Sequence, residues 1–189
     1  MFSYCIATRS RFPAHSLLSL CVVVLLFNAP LAVSQKNQAT INTTNPYPKI
    51  LELNWLNEQF LIKQRNRIET VSRRHFGKSL ETGKRNIPIL QRIINEALIP
   101  KEDKMELQAL GVLLGDAFVA YDKALAWQVY EDLDGKSHAV CVSDTEHCLF
   151  PVTMLSRRVE AGAPVNVQRI YEKGLNIIKP VLPKRAYFR

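Results

Sequence analysis

Between Leu107 and Gly162 the spacing of apolar residues changes from helical to alternating and back, and this change constrains the fold more than any other feature. Leu107, Leu110, Leu114, Ala117, Phe118 and Tyr121 recur at helical steps and predict a helix over Lys104 to Asp122. Trp127, Val129 and Glu131 then alternate with Gln128, Tyr130 and Asp132, the pattern of a strand. Asp134-Gly135 is a preferred two-residue hairpin turn; it predicts Glu131 opposite His138, Val129 opposite Val140 and Trp127 opposite Val142. A second turn through Ser143 to Glu146 sets Cys141 opposite Cys148 and Val140 opposite Leu149. Both registers put Trp127, Val129, Val140, Val142 and Leu149 on one face, which must lie under helices, with Gln128, Tyr130, Cys141, Cys148 and Phe150 on the other. Pro151 suits the first turn of a helix that stops at Gly162, and Asn166 caps a last helix to about Ile178.

The expected fold is therefore α+β, a small antiparallel three-stranded meander packed against helices and preceded by a long N-terminal amphipathic helix. That first helix is predicted over Ile50 to about Arg74, and another over Ile87 to Leu98. The chain divides into an N-terminal helical region at 50–104, an α+β domain at 105–178 and a basic tail at 179–189. Gly111 and Gly115 each cost about 1 kcal/mol relative to alanine in a helix, so the pair predicts close approach of another backbone.

Upstream, residues 1–34 have the order of a secretory signal: Arg9, Arg11 and His15, the apolar run Leu17 to Phe27, then Ala32-Val33-Ser34 before Gln35. The run is 11 residues, short of the ~20 that cross a bilayer. The expectation is export to the periplasm or beyond the cell, with no transmembrane span after cleavage; a retained N-terminal anchor is the alternative. Residues 35–49 read as a flexible linker, and Asn42-Thr43-Thr44 is an N-glycosylation pattern for hosts that glycosylate. Loss of the signal removes Cys5 and Cys21 and leaves two cysteines in an oxidising compartment.

Charge is unevenly placed. The chain carries a formal +8, and nine basic residues lie between Lys63 and Arg92 against Glu69 and Glu81. Arg65, Arg67, Arg73 and Arg74 are candidate contacts for an anionic envelope component. Phe76 is the one Phe, Tyr or Trp within the cluster, too few for the interleaved platform that base stacking requires, so no specific nucleic-acid binding is expected.

Few residues qualify for chemistry. Cys141 and Cys148, opposed on neighbouring strands, are within reach of a disulfide. His138 and His147 with the two cysteines have the composition of a metal set, but the register sends histidines and cysteines to opposite faces, so no metal site is expected. Asp116 in an apolar helix needs a partner, and Arg157 or Arg158 in the following helix is the candidate for a buried ion pair. Glu131 and His138 form an expected cross-strand pair. No phosphate loop, nucleophile elbow, paired-histidine zinc motif or calcium loop is present, and no cofactor is expected.

The succession LQALGVLLGDAF, AWQVYEDL and LFPVTMLSRRVEAG resembles the bacterial family described as domain of unknown function 3806. The positions that carry the resemblance are Leu110, Gly111, Gly115, Trp127, Pro151, Met154, Arg157 and Arg158, within roughly Glu106 to Ile178. The resemblance implies an α+β domain and no activity; the cysteine pair departs from the family's general pattern. The expected role is an exported, non-catalytic binding or accessory module of the bacterial envelope, with an envelope protein or anionic component as partner. The alternative is a small hydrolase-like enzyme using Asp116, Glu131, His138 or His147.

Overall fold

The computed structural model describes residues 47–184. The signal at 1–34, Asn42 and most of the linker, and the last five residues of the basic tail lie outside the described residues. The element order is β1 (Lys49–Leu51), α1 (Trp55–Phe76), a 3-10 turn (Gly83–Asn86), α2 (Ile87–Asn95), α3 (Lys104–Val119), β2 (Leu125–Asp132), β3 (Gly135–Val142), β4 (Cys148–Leu149), α4 (Pro151–Glu160), α5 (Val167–Ile178) and a second 3-10 turn (Lys179–Val181). Short polar side chains set the helix starts. Asn54, Asp103 and Asn166 accept from the N–H of Asn57, Glu106 and Arg169 at 3.0, 3.1 and 2.8 Å, each satisfying a donor that the first turn leaves free. Gly77 stops α1 at φ 62°, its N–H returning to the Arg73 carbonyl.

The strands form one antiparallel sheet in the order β1-β2-β3-β4. The mixed α+β architecture is as expected, with four strands rather than three. The added strand comes from residues assigned to the end of the linker and the start of the first helix. The cap at Asn54 delays that helix to Trp55, and Ile50 pairs with Tyr130 instead. Three residues are too few to show a period, so β1 left no pattern in the sequence.

The first hairpin also differs from expectation. Asp132 pairs with Gly135, Glu131 with Lys136, Val129 with His138 and Trp127 with Val140, so the turn is Leu133-Asp134. Asp132 Oδ1 accepts from the N–H groups of Asp134 and Gly135 at 2.9 and 3.1 Å, and this side-chain turn fixes the loop one residue earlier. The slip moves every pairing by two positions, so the faces are unchanged. In the second hairpin Val140 pairs with Leu149 and Cys141 with Cys148, as expected. Helices α2 and α3 end at Asn95 and Val119, short of the predicted Leu98 and Asp122.

Helix α3 is the centre of the core. Ala109, Leu110, Val112, Leu113, Leu114 and Phe118 are buried around nearly its whole circumference, as for a helix enclosed by other elements. Ile68 and Val71 of α1, Leu90 and Ile93 of α2, Leu155 of α4, Leu175 of α5 and Val140 of β3 close on it in one continuous cluster. A Cβ on Gly111 would lie 2.4 Å from the Pro151 carbonyl oxygen and 2.5 Å from that of Val152. One on Gly115 would lie 2.1 Å from the Trp127 ring. The close approach predicted from the two glycines is thus a helix backbone at one position and an indole at the other.

Candidate functional site

The site is built by the early end of β4. Two hydrogen bonds fix which way the β3 backbone points: Ser143 N–H donates to the Ala124 carbonyl and Val142 N–H to the His147 carbonyl. Odd-numbered residues of β3 therefore aim their backbone groups at β2, and Val142, Val140, His138 and Lys136 aim theirs the other way. β4 covers that second edge only along Val140 and Cys141, because Pro151 turns the chain into α4. Beyond this point the edge of β3 at His138 and Lys136 borders a cleft.

The cleft has a volume of about 400 Å³ and is lined by Lys136, Ser137 and His138 of β3, Phe60 of α1, Gln108 of α3, Phe150, and Val152, Thr153 and Arg157 of α4. A smaller concavity of about 230 Å³ adjoins it on the other side of His138, under Leu51, Asn54, Leu56 and Asn57. None of the residues lining the larger cleft is acidic, and two of them are cationic. The Lys136 ammonium also lies 3.6 Å from Glu131.

His138 is the most constrained side chain there. Its ring stacks on Phe60 with centroids 4.6 Å apart and planes 10° from parallel. Its Nε2 is 3.0 Å from Asn57 Oδ1. Asn57 donates from Nδ2 to Asn54 Oδ1 at 2.8 Å, which orients its amide and presents its oxygen to the ring. Nε2 must then carry the hydrogen, leaving Nδ1 as the lone-pair nitrogen. Burial holds the imidazole below its ordinary pKa of 6.5, so the ring is neutral at pH 7.

The other candidate residues disperse. Asp116 is paired not with Arg157 or Arg158 but with Arg65 of α1, whose Nε and Nη2 reach its two oxygens at 2.7 Å each. Trp127 Nε1 donates to the same carboxylate at 2.9 Å. The hydrogen bonds and charge of Asp116, working against burial, raise the Arg65 pKa above its ordinary value. Arg65, expected as a contact for an outside anion, is thus engaged internally. Arg73 pairs with Glu69 one turn away, whereas Arg74 is exposed. The N–H of Leu80, together with Arg73, holds Glu69 below its ordinary pKa.

Arg158 donates to the Met154 carbonyl of its own helix, and Arg157 lines the cleft. Glu131 faces Lys136 instead of His138, and His147 is exposed in the second turn. Asp116 lines a separate concavity of about 220 Å³, so the four candidate catalytic residues do not share one cleft. Cys141 and Cys148 form a disulfide on the sheet face opposite His138, with Cα atoms 4.0 Å apart. Among the described residues no cluster of His, Cys, Asp and Glu could hold a metal ion, and no helix is long and apolar enough to cross a membrane.

Sequence reasoning missed Asn57 and Phe60 as neighbours of His138. The Asn54-x-x-Asn57 spacing at a helix start was the available signal, since a cap that binds N3 also orients that side chain.

Residues 86–171, from the start of α2 into the first half of α5, match the model of the domain of unknown function DUF3806. No curated protein matches the chain. A crystal structure from Bacteroides thetaiotaomicron VPI-5482 shares the fold at a TM-score of 0.62 and 13% identity, covering 68% of this chain. The match covers 47% of that protein, so this chain spans about half its length.

Proposed function

We propose that the chain is an exported, non-catalytic binding module that recognises an anionic group in the His138 cleft. The carrying observation is the lining: Lys136 and Arg157 supply positive charge, Gln108 supplies hydrogen-bond donors, Phe60 and Phe150 supply apolar surface, and no carboxylate is among the lining residues. A neutral His138, clamped between Phe60 and Asn57, fits a wall of a binding site better than a proton-transfer group. The dispersal of Asp116, Glu131 and His147 favours binding over hydrolysis. The disulfide and the signal-like order of residues 1–34 support an oxidising compartment outside the cytoplasm.

Titration with sodium succinate, followed through the His138 ring resonances, tests the anion site. Saturable shifts that vanish in the Lys136→Glu, Arg157→Glu double variant are expected. Shifts of equal size in that variant, or none in the native chain, would overturn the reading.

A further inference from the structure

The cleft has a second recognition element besides its charge, the bare edge of β3. His138 and Lys136 both direct N–H and C=O groups to the side where β4 has ended, and both line the cleft. These groups repeat every second residue, the spacing at which an antiparallel strand exchanges hydrogen bonds. Across the cleft stand Thr153 and Arg157 of α4, one turn apart on the same helix face. A strand continuing the line of β4 would run between these two walls, with alternate side chains turned toward Arg157 and Lys136.

We propose that the cleft binds an extended acidic peptide of a partner protein, which pairs with the edge of β3 as a continuation of β4. This rests on the anion-site reading above and names its ligand class. Exposed strand edges accept such peptides, main-chain bonds giving affinity and side-chain pockets giving selectivity. Charge selects the occupant. Lys136 on the edge disfavours a second copy of the same edge, and the basic residues of the chain's own tail oppose Arg157. Glutamate or aspartate at alternate positions complements both cations.

The test uses the full chain and the capped peptide acetyl-Glu-Val-Glu-Val-Glu-amide. Saturable binding is expected, with the backbone amides of His138 and Lys136 gaining protection from hydrogen exchange on peptide addition. N-methylation of alternate peptide nitrogens should weaken binding at least about tenfold, as the loss of paired main-chain bonds requires. Arg157→Glu, an exposed substitution, should weaken it about five- to tenfold and reduce its salt dependence. Equal binding of the N-methylated peptide, or of a peptide with lysine for glutamate, would overturn the proposal. Succinate binding without peptide binding would overturn it while leaving the anion site standing, and failure of both would remove both. Protection of the two amides in the free protein would show that a segment of this chain already occupies the edge, and would overturn it too.

Discussion

His138 Nε2 donates to Asn57 Oδ1 at 3.0 Å, joining the open edge of the sheet to the first turn of α1. The amide that receives the bond is itself held by the helix cap, since Asn57 donates to Asn54 from both its backbone and its side chain. The residue that caps a helix thus also sets, through Asn57, the tautomer of a ring 81 positions beyond Asn57. Asn54→Ala should for this reason act twice, removing the cap and releasing the amide.

The pH dependence of stability follows from the depressed pKa of His138. The unfolded chain takes up a proton as pH falls through about 6.5, whereas the folded chain resists it until lower pH. Stability should therefore be full above this window, decline as pH falls through it, and level off below the folded pKa. Urea denaturation from pH 8 to 5 should show the decline in the native chain, and its His138 component should be absent from His138→Phe. Asn57→Asp should reverse the sign, because a carboxylate beside Nε2 stabilises the charged ring. Glu69 titrates in a separate window: its contribution is present above about 4.5 and lost as pH falls further, so the two groups are resolved.

The Arg65–Asp116–Trp127 group predicts an ordered series. Asp116 is the common acceptor, its side chain 24% exposed against 36% for Arg65. Asp116→Ala removes the guanidinium fork and the indole's acceptor together and should cost about 2 kcal/mol, discounted from a fully buried pair for this exposure. Asp116→Asn keeps an acceptor for Trp127 and should cost less. Arg65→Met retains the apolar stem across α3 and should fall between them. Denaturation midpoints with unchanged m-values would give the series; a larger loss for Asn than for Ala would contradict it.

What the sequence made legible was decided by periodicity. The stripe of α3 and the alternation of β2 extend over many residues, so both elements and the covered sheet face were readable. Cys141 opposite Cys148 was readable because the second turn is short and both flanks alternate. The partner of Asp116 was not, because α1 crosses α3 from 51 positions upstream and no local pattern specifies a crossing. The sequence suggested the next helix along the chain, and packing supplied the earlier one. The cleft was illegible for the same reason: its residues come from α1, α3, β3 and α4, and what makes it open is the two-residue length of β4.

The two glycines of α3 should respond differently from an ordinary helical glycine, at which alanine gains about 1 kcal/mol. At Gly111 the added methyl meets carbonyl oxygens of α4, which move only with the backbone, and at Gly115 it meets an indole already tethered to Asp116. Both alanine variants should lose about 1–3 kcal/mol net, Gly111→Ala the more. Gly77→Ala meets no neighbour within 4 Å, and its penalty of about 1–2 kcal/mol comes from φ 62° alone. Thermal midpoints should therefore fall in all three, but only Gly111→Ala and Gly115→Ala should also change the near-ultraviolet signal of Trp127.

The disulfide has a local consequence for the cleft. β4 is held by two register pairs, and Phe150, which follows it, lines the cleft. Closing the short loop between Cys141 and Cys148 should contribute about 2 kcal/mol through the unfolded chain. Its loss should also release β4, since the remaining pair at Val140 and Leu149 gives little hold by itself. The double variant Cys141→Ala, Cys148→Ala fills the buried Cys141 site with an apolar group and leaves no polar atom unsatisfied. In that variant the Val142 N–H, bonded to the His147 carbonyl, should exchange faster. Amides in α3 should slow or quicken only with global stability. Equal acceleration at both places would mean that the bridge acts on the whole fold and that β4 does not depend on it locally.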